Sequence, residues 1–257
     1  MFEAFSQKMH IRSTTLLLAL DNRLDQILQL WLLFAGLIAA ARIAFTPVSA
    51  PIASFSTFAS YLLIVVAPCA STLLALLWFR DGHLLAQPKS RLAIVGKWKR
   101  LSRGEAEGHR LYGSSGLMVS LLVGMMLNVP VRTAEYLAAM PPLGAVSPAW
   151  FSRLHFAMTL DTVLFGSLYM VAFVAALRRV PLFPRLLLAI WIADLAMQLV
   201  TAHLVVRGGD LPLQVGSALH SLLLGNVKKV LISAALWIPY LLLSTRVNVT
   251  FRHRVPA

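Results

Sequence analysis

Apolar residues come in blocks along this chain, and the blocks have the length of a bilayer core. A helix needs about 20 mostly apolar residues to cross the hydrocarbon region. Six segments qualify: 28–46, 58–79, 111–131, 156–177, 186–206 and 229–245. No charge occurs between Ile43 and Phe79. There Pro47 and Pro51, with nearby serines, divide the run into two spans and a short turn. Lipid offers backbone polar groups no partner, so spanning segments are helices or closed barrels. The alternating strands of a barrel, roughly ten residues each, are absent. The pattern predicts an all-α integral membrane helical bundle of six transmembrane helices. Ahead of the first span, Leu20, Leu24, Ile27, Leu28 and Trp31 follow helical spacing, with Asp21, Arg23, Asp25 and Gln29 opposite. That stretch either lies on the membrane surface or lengthens the first span.

Composition agrees. The 257 residues are 58% hydrophobic and 13% charged, against about 45–50% and about 25% in a globular chain. The net charge of +13 would point to nucleic acid in a soluble domain. In a membrane protein it reads as topology, because Lys and Arg collect in cytoplasmic loops. Seventeen of the Lys and Arg fall on one side of the six spans and five on the other, with Arg42 inside the first span. Both termini are therefore expected in the cytoplasm. Lys228 and Lys229, at the start of the last span, dissent, and long side chains snorkel to an interface. The loop 80–110 carries Lys97, Trp98, Lys99, Arg100 and Arg103, a cluster suited to anionic lipid headgroups or simply to fixing topology. After the first short apolar run come Asp21, Arg23 and Asp25 instead of a small-residue cleavage site, so no secretory signal is expected. The lone Cys69 rules out an intrachain disulfide and a Cys-based metal motif.

Polar groups inside the spans carry the candidate chemistry, because each is costly in lipid without a partner. Asp194, Gln198 and Thr201 fall on one face of the fifth span. They are expected to face other helices, as a packing hydrogen bond or a proton relay. Tyr240 is the expected partner of Asp194, with Ser233 or a carbonyl freed by a kink at Pro239 as alternatives. Arg42 and Asp161 lie at matching depths near the outer ends of their spans, so an ion pair between them is expected. His155, His203 and His220 gather toward the outer face, where facing histidines can ligate haem or a metal. Their spacing matches no ligand motif, and interfacial histidines are the plainer reading. Gly116, Ser120 and Gly124 recur every four residues and offer a stripe for close helix approach. Neither a Gly-x-Ser-x-Gly elbow nor a His-Glu-x-x-His helix occurs, so no catalytic or metal site is expected.

The closing run Trp237-Ile238-Pro239-Tyr240, then Ser244-Thr245-Arg246-Val247, then Thr250-Phe251, resembles the end signature of the domain-of-unknown-function 2569 family. Upstream, Arg178-Arg179-Val180-Pro181-Leu182-Phe183-Pro184-Arg185 is similar to that family's basic turn. Thr245 and Asn248 stand where the family usually has lysines. The resemblance spans roughly residues 108–254. It implies a four-helix unit in a multi-pass protein of the bacterial inner membrane, and no activity. The chain thus divides at the sequence level in two. Residues 1–107 hold an amphipathic segment, two spans and the basic loop. Residues 108–257 hold the four-helix unit and a basic tail. A non-enzymatic protein is expected, acting as a subunit or accessory (scaffold) factor of a larger inner-membrane assembly. The expected partners are lipid and other membrane subunits, with no nucleic acid and no cofactor. The alternatives are a small-molecule or ion transporter, or a haem-binding electron-transfer subunit using the outer histidines.

Overall fold

A computed structural model describes residues 2–46, 55–89, 96–143, 147–207 and 212–257. The elements run α1 (Phe2–Asn22), α2 (Leu24–Phe45), α3 (Phe55–Trp78), β1 (Trp98–Arg100), α4 (Arg103–Glu107), α5 (Leu117–Ala139), α6 (Ala149–Leu177), α7 (Phe183–Val206), α8 (Leu213–Leu243), α9 (Thr245–Arg252) and β2 (Arg254–Pro256). Among the described residues, α2, α3, α5, α6, α7 and α8 are long and apolar enough to cross a membrane. These are the six spans that hydropathy predicts, with different ends. Residues 111–116 are a turn, because Gly113 (φ 105°) and Gly116 (φ 73°) take left-handed backbone. Helix α5 then runs eight residues past Val131, and α8 begins sixteen residues before Lys229. Apolar counting stops at the first charges, whereas backbone hydrogen bonds do not. The amphipathic stretch is broken at Arg23 (φ −115°), so its part from Leu24 onward lengthens the first span.

Helix α6 is the hub and packs against α3, α5 and α7. Further out, α8 lies on α7 and α2 lies on α3. In lipid, helices associate through close packing and hydrogen bonds, because the surrounding tails are as apolar as leucine. Small side chains on α6 permit that approach: Ala172, Ala175 and Ala176 are fully buried, as is Ala75 on α3. A Cβ built on Gly166 would sit 3.5 Å from the Pro68 ring. The expected stripe on α5 does not pack. Gly116 precedes the helix, Ser120 is exposed and bonds back to the Leu117 carbonyl, and Gly124 faces open space. Their four-residue spacing is real, but it points away from the hub.

The end of the bundle that bears the C-terminus is closed by a small cap. Strands β1 and β2 pair antiparallel, with Lys99 opposite Val255. Helix α9 buries Val247, Val249 and Phe251, and Phe251 packs on Phe183 at 5.1 Å. Asn248, fully buried, donates to the Leu242 and Ser244 carbonyls and accepts from both Arg252 and Arg254. Arg254 lies over the Trp98 ring at 4.7 Å. Ser102 caps α4 through reciprocal bonds with Glu105, which hold that carboxyl below its usual range. The end signature is therefore architectural. Arg246 bonds Ser115, and the Thr250 hydroxyl accepts from the Gly113 amide. Both fasten α9 to the glycine turn.

Candidate functional site

Four helices bring polar side chains to one place within the bundle. Arg132 sits on α5, about two turns before its end. Its Nη1 donates to Asp161 Oδ2 of α6 at 2.5 Å, and its Nη2 donates to Asp194 Oδ2 of α7 at 2.7 Å. The Arg132 and Asp161 side chains are 11% and 6% exposed, and that of Asp194 is fully buried. Tyr169 Oη donates to Asp194 Oδ2 at 3.2 Å. Gln198 Nε2 lies 3.2 Å from Asp161 Oδ1 and 3.3 Å from Asp194 Oδ1. Asn226 of α8 donates to Gln198 Oε1 at 3.4 Å. The Phe165 ring lies beneath the guanidinium at 5.0 Å. Arg132 of α5, Asp161 and Tyr169 of α6, Asp194 and Gln198 of α7 and Asn226 of α8 thus join a single network.

The electrostatics are unbalanced. Two carboxylates share one guanidinium, so the fully ionised triad carries an excess negative charge. Taking such groups from water costs several kcal/mol per ion, and good hydrogen-bond geometry must offset it. The network also has an approach. A cavity of about 60 Å³ lies beside it, lined in part by Asn128, Arg132, Tyr169, Asn226 and Ser233. That is room for about two waters at ~30 Å³ each, among polar partners. Asn128 Oδ1 is buried there without a protein partner. At the cavity's rim Glu135 pairs with Lys229, both substantially exposed.

The expected Arg42–Asp161 pair is not formed, because Arg132 takes Asp161. Arg42 lies three residues from the end of α2 and Asp161 twelve residues into α6, so the depths inferred from the apolar runs do not match along the helices. Moreover, α2 lies against α3, whereas α5 lies beside α6. Asp194 faces the bundle with Gln198 and Thr201, all buried, as their spacing implies. Its partners are Arg132, Tyr169 and Gln198, not Tyr240. Tyr240 lies three residues from the end of α8, about 5 Å along the axis, while Asp194 is eleven residues into α7, about 17 Å. Tyr240 stacks edge-on with Trp237 instead. The histidines do not converge. His155 is buried, its Nε2 3.1 Å from the Tyr136 hydroxyl, which also bonds Thr159. His203 and His220 are exposed. Among the described residues no three His, Cys, Asp or Glu side chains are placed to hold a metal ion.

Arg132 is the residue that hydropathy missed. It follows Val131, where the apolar run ends. The signal was in the period: Met118, Leu122, Met125, Val129 and Tyr136 recur at helical spacing and are buried, and Arg132 falls on that same row. Tyr169 carried no such signal, since tyrosine is ordinary in an apolar helix, and Asn226 lies ahead of the sixth apolar run, which begins at Lys229.

A family model described as a protein of unknown function (DUF2569) matches residues 113–252, more than half of the chain. Neither a curated protein nor a solved structure matches. The matched stretch begins at the glycine turn, contains all of α5, α6, α7 and α8, and ends with α9. It holds every member of the polar network and the closing signature, and on that match the chain belongs to the DUF2569 family of proteins of unknown function.

Proposed function

We propose that this protein is a non-enzymatic, multi-pass protein of a bacterial inner membrane. We further propose that its four-helix unit is a transporter-class device which takes up and releases a proton or monovalent cation. The observation that carries this reading is the pair Asp161 and Asp194 on the single Arg132. An intramembrane ionisable group is a functional candidate by default, and this triad is neutral only when it holds one added positive charge. The small polar cavity and the exposed Glu135–Lys229 pair supply an approach from one side. On the other side Phe165, Phe173 and Met125 are buried and apolar. A centre open to one side and sealed from the other suits stepwise passage.

Infrared difference spectra of the protein in lipid, titrated between about pH 5 and about pH 8, test the reading. A carboxyl band that appears on acidification and is lost in Asp161→Asn or Asp194→Asn is expected. If carboxyl bands are unchanged by these substitutions across the range, the triad is a static packing device and the transport reading fails.

A second reading, the accessory subunit, has its own support. Helix α8 has only three buried residues along its 31, and Lys228 is exposed at its midpoint. Such a face suits a further membrane subunit. Purification in mild detergent decides it: a stoichiometric membrane partner, lost when Lys228 is replaced by leucine, supports the subunit role.

A further inference from the structure

Between α2 and α5 the bundle leaves a groove of about 900 Å³, floored by Pro68 of α3 and Met170 of α6. Its walls are almost wholly apolar. Ile27, Trp31, Phe34 and Ile38 line one side, and Met126 and Ala134 belong to the other. It opens sideways, since Phe34 and Ile38 are more than half exposed. Arg42 is the charged residue in this lining. Released from the pairing that its depth implied, Arg42 has its Nε buried with no hydrogen-bond partner. Ile27 and Arg42 are fifteen residues apart on α2, or about 22 Å at 1.5 Å per residue. The groove is therefore a long apolar trough with one cation at the end farther from the terminal cap.

We propose that this groove is a binding site for one anionic membrane lipid, its chain along α2 and its phosphate at Arg42. Two arguments select that occupant. The first is volume. A helix 10–12 Å across and about 22 Å long fills roughly 1,700 Å³ or more, about twice the groove, so a partner helix would seat only part of its girth there. An acyl chain has a much thinner cross-section. The second is charge complementarity. A buried guanidinium N–H without an acceptor is costly, and a phosphate oxygen is a strong acceptor for it. Thr133 and the Met126 carbonyl, which Pro130 leaves without its helical donor, are further polar contacts within the trough. The proposal stands whether or not the Arg132 triad moves charge.

The test uses the full chain, delipidated and then reconstituted in vesicles of phosphatidylglycerol and phosphatidylcholine in roughly equal parts. After mild extraction, native mass spectrometry counts the lipids that stay bound. One phosphatidylglycerol per chain is expected, retained about fivefold over phosphatidylcholine, as a single basic side chain near a headgroup implies. Arg42→Gln should abolish the preference while lipid is still held, and Arg42→Lys should keep most of it. Ala134→Trp, which fills the groove from an exposed position, should remove the bound lipid of either kind. Equal retention of the two lipids by the unaltered protein overturns the proposal. So does an unchanged preference in Arg42→Gln, or a stoichiometric protein in place of lipid that Ala134→Trp displaces.

Discussion

Arg132 serves two carboxylates with one guanidinium, and that asymmetry sets how the site answers substitution. Arg132→Leu leaves two buried carboxylates without a cation, a loss expected to cost about 3–5 kcal/mol. Thermal unfolding in detergent should show a large fall, or no folded protein at all. Asp194→Asn is different. The amide oxygen still accepts from Tyr169 and Arg132, and the remaining Arg132–Asp161 pair is balanced, so stability should change by no more than about 1 kcal/mol. A drop with Asp194→Asn as large as that of Arg132→Leu would mean that both carboxylates are ionised and needed. Tyr136→Phe strands the buried His155 and Thr159 polar atoms and should cost about 1–3 kcal/mol. Much of this site was legible. Asp161, Asp194 and Gln198 stand out as polar groups inside apolar runs, and helical spacing puts the last two on one face. Arg132 was hidden because hydropathy counting ends a span at its first charge. Arg42 was assigned to the wrong helix because depth along the membrane normal says nothing about which helices are neighbours.

At the scale of elements, long periodic segments were readable and short paired ones were not. All six spans are present, since twenty apolar residues leave a helix few alternatives. Strand β1 has three residues, too few for a period-2 pattern, and its partner β2 lies more than 150 residues away. The basic loop thus carries an ordered strand that pairs with the tail. The cap this builds is pH-sensitive in a definite direction. His253 ends α9 in left-handed backbone (φ 46°), and burial, with nearby Arg103, depresses its imidazole below the ordinary value. The unfolded tail therefore binds more protons than the folded one over that interval, and stability rises with pH there. The cap should be firm above about pH 6.5 and loosen as the pH falls through the depressed value. Amide exchange of Val255, corrected for the intrinsic rate at each pH, measures this. Faster exchange at about pH 5.5 than at about pH 7.5 is expected in the native protein, and His253→Asn should flatten the difference. Neighbouring Arg252, lowered to about 10 by burial and by Arg254 and Arg185, stays charged throughout that range.

For the whole molecule the distribution of charge predicts which way up the bundle sits. An even number of spans puts the N-terminal segment and the cap on one side, and the Lys/Arg bias predicts that this side is the cytoplasm. The lysines that argued against this lose their force once α8 is measured. The helix has 31 residues and is about 46 Å long, well beyond a hydrocarbon core of about 30 Å. Lys228 and Lys229 lie about 21–22 Å from Leu243, so they end some 8 Å short of the far interface, within reach of a snorkelling lysine. Lys229 is also anchored by Glu135. Neither lysine marks a loop, so neither counts against the topology. Lys99 and Arg100 on β1 and Arg103 on α4 belong to the basic set behind this bias and are held in the ordered cap. Reporter fusions after Gln87 and after Ala257 should therefore read cytoplasmic, and one after Leu143 should read external. Replacing Arg100 and Arg103 with glutamine should weaken the bias without reversing it, since fifteen of the seventeen basic residues on that side persist. An external reading after Gln87 in the unaltered protein would invert the bundle. The Glu135–Lys229 approach to the triad would then open toward the cytoplasm.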